Sequence, residues 1–255
     1  MRKKGSKSGS KSKKRGKISK ILRFIFIKLP LIFFAVTFVW ILALRWIPVY
    51  VTPLMVIRSV QFIGDDTFHT YKRWKPISKI SDNMTLAVMA SEDNKFLIHN
   101  GFDWEAIEKV MNMNKRSKRL RGASTISQQT AKNVFLFPSR TWLRKGLETY
   151  FTFGIEIAWS KKRIMEVYLN VVEMGRGIYG AEAAANRLFN KSAANLTARE
   201  CSLIAASLPN PLKRRANSPS GYLSARASRI QNLMYKMETP YWFDTYKPPR
   251  KNVKR

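Results

Sequence analysis

The sequence predicts a mainly α-helical protein: one apolar helix near the N-terminus that spans a membrane, followed by a helical domain. Three observations predict it. An unbroken apolar or neutral run extends from Leu29 to Leu44, apolar residues recur at spacings of three and four from Thr85 onward, and the alternation of strands is nearly absent.

The N-terminal elements follow from charge and hydropathy. Ten of the first twenty residues are Lys or Arg set among Ser and Gly, which makes residues 1–20 too polar and self-repelling to pack: a basic tail. Residues 21–44 form the membrane helix, with Arg23 and Lys28 near its start, where long side chains snorkel to the headgroups, and Arg45 and Trp46 at its far boundary. A cleaved signal peptide would want small residues before the cut, so an uncleaved anchor is expected. The positive-inside rule places the tail in the cytoplasm and everything after Trp46 outside.

Residues 45–81 carry scattered prolines (Pro48, Pro53, Pro76) and no sustained period, so a connecting segment is expected near the membrane, with Tyr50, Phe62, Phe68, Tyr71 and Trp74 at the interface. The domain is expected over residues 82–236. Its helices run from Thr85 to Phe96, Asp103 to about Asn114, Ser124 to about Val134, Arg140 to Trp159 and, capped by Ser160, to about Val172. A glycine-rich loop (Gly175, Gly177, Gly180) follows. Thr197 with Glu200 then makes a capping box for a helix that ends before Pro209. Residues 237–255, with three prolines and a basic end, read as an unpacked tail.

The net charge of +31 suggests anionic partners, and beyond residue 44 there remain 35 Lys and Arg against 16 acids. The membrane helix turns that reading away from nucleic acid. A single cysteine, Cys201, excludes an intrachain disulfide and reads as a buried thiol. No nucleotide-type phosphate loop, no metal-spaced Cys or His set and no nucleophilic triad is present, so the chemistry must rest on carboxylates and cations.

Three clusters place polar residues where a plain helical core would not need them. In SEDNKFLIHNGFD, Glu92 follows the apolar LAVMA and sits at the edge of the core, where partial burial makes a carboxylate a better proton acceptor; a solvated acidic pair is the plainer alternative for Glu92 and Asp93. In RGASTISQQTAKN, Ser124 or Thr125 starts a helix that brings Thr125, Gln129 and Lys132 near one face, suited to sugar hydroxyls and an anion. In PSRTWLRKGLE, Ser139 can cap a helix on which Arg140, Arg144 and Glu148 share a face; with Lys145 and Lys132 they suit a diphosphate better than a surface ion-pair ladder.

At these residues the sequence resembles the glycosyltransferase module shared by class A penicillin-binding proteins and the monofunctional peptidoglycan glycosyltransferases, glycosyltransferase family 51. EDNKFLIHNGFD, GASTISQQTAKN, RKGLE and KKRIMEVYLNVVEMGRGIYGAEAAA match its motifs in order, from about Thr85 to Arg229. The monofunctional branch is indicated because no transpeptidase domain follows; Ala123 stands where many bifunctional members have Gly.

The resemblance implies a lysozyme-like fold with a membrane-proximal lobe, a bacterial inner-membrane location, and polymerisation of lipid II into β-1,4 glycan with inversion and release of undecaprenyl diphosphate. It implies Glu92 as general base, Glu148 as the second catalytic glutamate, and Lys132, Arg140, Arg144 and Lys145 at the diphosphate. Asp93, Ser124, Gln128, Gln129 and Asn133 go to substrate contacts and local architecture, and residues 161–185 to structure. Partners would be lipid II, the growing glycan, inner-membrane lipids and, left open, cell-wall synthesis or division proteins. No cofactor is required, although a divalent cation, Mg or Mn, can be accommodated at the diphosphate. A lytic enzyme with one essential glutamate would need no such cationic cluster, and a non-catalytic scaffold would need no base.

Overall fold

A computed structural model describes residues 22–115, 122, 124–139 and 141–243. The chain divides into two compact units, Met1–Trp46 and Ile47–Arg255.

In the first unit, α1 (Phe24–Ala43) is 20 residues long, a π-helical first turn at Phe24–Lys28 leading into a regular α-helix. At 1.5 Å per residue that is about 30 Å, the thickness of a bilayer core. Phe26, Leu31 and Val39 are more than three-fifths exposed, as a lipid-facing helix requires and a soluble core helix would not allow. The one hydroxyl in its middle, Thr37, is satisfied by the Phe33 carbonyl at 2.8 Å.

The second unit is mostly helical. α2 (Pro53–Gln61) lies in the stretch expected to have no regular structure. Its prolines mislead because Pro53 occupies the first helical turn, where a missing N–H costs nothing, and Thr52 caps it by accepting from Met55 N. From Ile47 on, this stretch belongs to the second unit. β1 (Tyr71–Lys72) runs parallel to β3 (Ile178–Tyr179), which pairs antiparallel with β2 (Glu173–Gly175), in the order β1-β3-β2. Gly177 is needed there: its φ is +70°, and a Cβ would lie 2.2 Å from the His69 carbonyl oxygen. The Asn170 side chain holds both the N–H and the carbonyl of Lys75, each at 2.8 Å, and Glu166 accepts from Ile77 N at 2.9 Å.

Four of the five aromatics expected at the membrane interface are therefore half-buried inside the unit: Phe62 stacks on Phe68, with Arg176 over both rings, Tyr71 lies under Arg187, and Trp74 lies under Arg163. Only Tyr50 among them is exposed.

The core has two helical groups. In one, α3 (Asp82–Glu92), α9 (Ala198–Ser207) and α10 (Gly221–Met234) pack together through Met84, Val88, Ile204, Ala205, Ala227 and Ile230. In the other, α5 (Ile126–Phe135) packs on α6 (Trp142–Ala158) and α7 (Lys161–Val171) through Ile126, Val134, Phe151, Ile155, Ile164 and Leu169. Each fully buried Val, Leu, Ile, Met or Phe among them contributes roughly 1.5–3 kcal/mol. Phe135 stacks on Phe151 with centroids 4.4 Å apart. α4 (Trp104–Lys115), capped by Asp103 on Ala106 N, and α8 (Ala181–Phe189) complete the set. The sequence reading names neither α8 nor α10.

Local caps match expectation at Ser160 and at the Thr197–Glu200 box. At α6 the cap is Thr141, which accepts from Arg144 N, and not Ser139; the helix starts at Trp142. The C-terminal stretch is packed as far as Phe243, since Pro240 and Phe243 are buried. Exposed apolar side chains lie on α6, where Trp142, Leu143, Phe153 and Ile157 are all more than three-fifths exposed, and along residues 47–63, where Tyr50, Val51, Val60 and Ile63 are too.

Candidate active site

Glu92 is the last residue of α3 and half-buried. It lines a cleft of about 440 Å3 together with Asp103, Ser124, Gln129, Pro209 and Arg226, drawn from both helical groups. Two donors orient the carboxylate: the Gln129 amide N–H reaches Oε2 at 3.0 Å and the Ser91 hydroxyl reaches Oε1 at 3.1 Å. Each oxygen keeps a further lone pair, so the carboxylate can still accept a proton from a hydroxyl in the cleft. Ser91 is itself held by Arg226, which donates to its Oγ at 3.2 Å.

Beneath the cleft, the start of α5 is fixed by groups from the loop after α3. Asp93 is 7% exposed; its Oδ2 accepts from Ile126 N at 3.0 Å and its Oδ1 meets His99 Nε2 at 2.9 Å. His99 Nδ1 accepts from Gly101 N at 3.1 Å, which leaves the proton on Nε2, directed at Asp93. Thr125 caps α5 in a full capping box with Gln128 and donates to the Gly101 carbonyl at 2.7 Å. This network costs Asp93 and Gln128 most of their capacity for an outside ligand. Gln128 serves the architecture of α5, Asp93 serves it and also lines the cleft, and Gln129 opens onto the cleft from α5.

One turn along α5, Lys132 and Asn133 line a second cavity of about 340 Å3 with Leu54, Leu136, Pro138 and Arg144. Lys132 is pushed below the usual lysine value by burial, with the charges of Arg144 and Lys145 acting in the same direction and those of Glu148 and Glu92 opposing. Glu148 is 3% exposed and paired with both Arg144 and Lys145. A buried carboxylate so placed holds two cations in position beside a third. Each of its oxygens accepts from one of those partners, and the described residues hold no group of three or more His, Cys, Asp or Glu side chains placed to bind a metal ion.

The fold thus gathers Glu92, Asp93, Ser124 and Gln129 about one cavity and Lys132, Asn133 and Arg144 about the next, with Lys145 and Glu148 beside them. Arg140 lies outside the described residues. Sequence reasoning missed Ser91, Arg226 and Tyr168, whose hydroxyl donates to Gln129 Oε1 at 3.3 Å. Tyr168 stands in a motif read as structural, and nothing local marks Arg226.

A family model described as transglycosylase matches residues 60–238. The chain is 56% identical over 218 residues to a biosynthetic peptidoglycan transglycosylase of Bacteroides thetaiotaomicron, covering 85% of this chain and 88% of the relative. Proteins of the same description from Bdellovibrio bacteriovorus (52% over 212 residues; 83% and 85% covered) and Caulobacter vibrioides (49% over 213; 84% and 91%) are also similar.

Proposed function

The chain belongs to the transglycosylase family and is a peptidoglycan glycosyltransferase, and from that premise we propose that it polymerises lipid II with Glu92 as general base. The observation that carries this reading is the oriented, half-buried Glu92 in a cleft next to a cavity lined by Lys132 and Arg144.

In the proposed reaction Glu92 takes the proton of the 4-hydroxyl of the acceptor N-acetylglucosamine as that oxygen attacks C1 of the donor N-acetylmuramic acid. The C1–oxygen bond to the diphosphate breaks and its electron pair leaves with undecaprenyl diphosphate, so an α linkage becomes a β-1,4 bond. Lys132, Arg144 and Lys145, with Arg140, offset the charge that grows on the departing group, an interaction stronger in the transition state than before it. Glu148 positions those cations. Ser124 and Asn133 contact the substrate. α1 anchors the enzyme in the bacterial inner membrane, with the basic tail cytoplasmic and the domain outside.

The test is incubation of detergent-solubilised protein with labelled lipid II, the products being resolved on a gel. Glycan ladders are expected from the wild type, and a rate lower by about 10²–10⁴-fold from Glu92→Gln. A folded wild type that makes no polymer, or a variant that matches it, would sink the proposal.

A further inference from the structure

At the opposite end of α3 from Glu92 lies another cavity, of about 320 Å3, lined by Ser78, Ser81, Asp82, Asn83, Lys162 and Trp242. Ten residue steps separate Asp82 from Glu92, about 15 Å at the helical rise. The two cavities share no lining residue.

The wall of this cavity combines an aromatic plate with small neutral polar groups. Trp242 is held there because its neighbours Pro240 and Phe243 are buried, and it is braced edge-on by Tyr241 (centroids 4.9 Å apart, planes at 88°) and Phe243 (6.3 Å, 79°). Its indole N–H is buried and has no acceptor among the described residues. Asn83 donates to Ser81 Oγ at 3.3 Å, and Ser81 donates to the Leu196 carbonyl at 2.9 Å. The Asn83 carbonyl oxygen, the Ser78 hydroxyl and the Lys162 ammonium have no protein partner among the described residues.

Such a wall selects among ligand classes. A compact anion wants clustered cations, and here one lysine stands beside an aspartate. An apolar ligand would bury the hydroxyls and amide without partners, at a cost. A pyranose satisfies both halves: its C–H face lies on the indole, and its hydroxyls and acetamido group supply donors and acceptors together. We propose that this cavity is a second carbohydrate site, which takes an N-acetylated hexosamine unit of a glycan strand away from the Glu92 cleft. A strand held at two points leaves the enzyme more slowly than one held at a single point, which favours longer products. The site is independent of the role given to Glu92, because binding there needs neither diphosphate nor turnover.

The experiment uses full-length protein in detergent, labelled with 5-fluorotryptophan, with the Trp242 fluorine resonance assigned by its loss in Trp242→Phe. Addition of chitotetraose should shift that resonance saturably in the wild type and in Glu92→Gln alike. Asn83→Ala, which leaves the ring in place, should weaken the titration about tenfold. A Trp242 resonance that does not respond to millimolar chitotetraose, or one titrated with equal affinity in Asn83→Ala, overturns the site.

Discussion

Gln129 stands 37 residues from Glu92 in the chain and 3.0 Å from it in the fold, its amide N–H on Glu92 Oε2 and its carbonyl oxygen accepting from Tyr168 at 3.3 Å. Tyr168 settles which way the amide points. Its phenol is fully buried, and burial, with Glu92 and Asp93 adding, drives its pKa far above the ordinary tyrosine value, so the hydroxyl stays a donor. The chain Tyr168–Gln129–Glu92 joins the two helical groups of the core across the cleft.

Gln129→Leu should therefore lower turnover by about tenfold, some 1.4 kcal/mol, and Tyr168→Phe by less. Their effects should not multiply, because Tyr168 acts only through Gln129. Initial rates of the two single variants and the double variant check this; independent effects would show that Tyr168 works by another route.

Glu148→Gln should move the alkaline limb of the pH–rate profile to lower pH. Lys132 is depressed by burial first, and Glu148 is the main influence that raises it. Without that carboxylate the ammonium loses its proton at lower pH, and a lysine that must be charged to face a diphosphate fails sooner. The profile of kcat/KM for variant and wild type decides; an unmoved limb would separate Lys132 from the rate.

Lys72 carries a testable linkage to stability. Burial lowers it from 10.5 to about 8. Between those values the unfolded chain holds a proton that the folded chain has released, so stability from this group rises with pH across that window, and its burial cost is felt in full below it. Lys72→Met should raise the unfolding temperature at pH 7, and its advantage should shrink as pH rises from 8 to 10. A difference independent of pH would contradict this.

Gly101→Ala should damage both stability and activity. Gly101 has a φ of +86°, and a Cβ there would lie 2.9 Å from both Glu156 Cγ and Thr152 Cγ2. Backbone strain of this kind costs about 1–3 kcal/mol. Because the Gly101 carbonyl holds Thr125, the cap of the helix that carries Gln129, the rate should fall even at temperatures where the variant is folded. Thermal unfolding and initial rates on the same preparation check the two effects.

How much of this was legible in the residues alone depended on the range of the interaction involved. α1 was, because lipid solubility is a matter of consecutive apolar residues. The caps at Ser160 and Thr197 were, because cap and partner lie three residues apart. The mainly α class was also readable, and the short motifs carrying Glu92, Gln129, Lys132, Arg144 and Glu148 lie at or beside the two cavities. Where the code was weaker, reading failed: Pro53 looked like a breaker and proved to be a first-turn residue, and Ser139 competed with Thr141 for one cap.

Only the tertiary structure decided which polar residues face a ligand and which hold the frame. Gln128 stands next to Gln129 in the chain yet closes a capping box, and Asp93, beside Glu92, lines the cleft while it also anchors Ile126 and His99. Arg226, on a helix with no polar motif, comes to the cleft through Ser91, 135 residues away. Helical periodicity specifies a face but not its neighbour. That neighbour is chosen by the packing of the two helical groups, through contacts whose partners are distant in sequence.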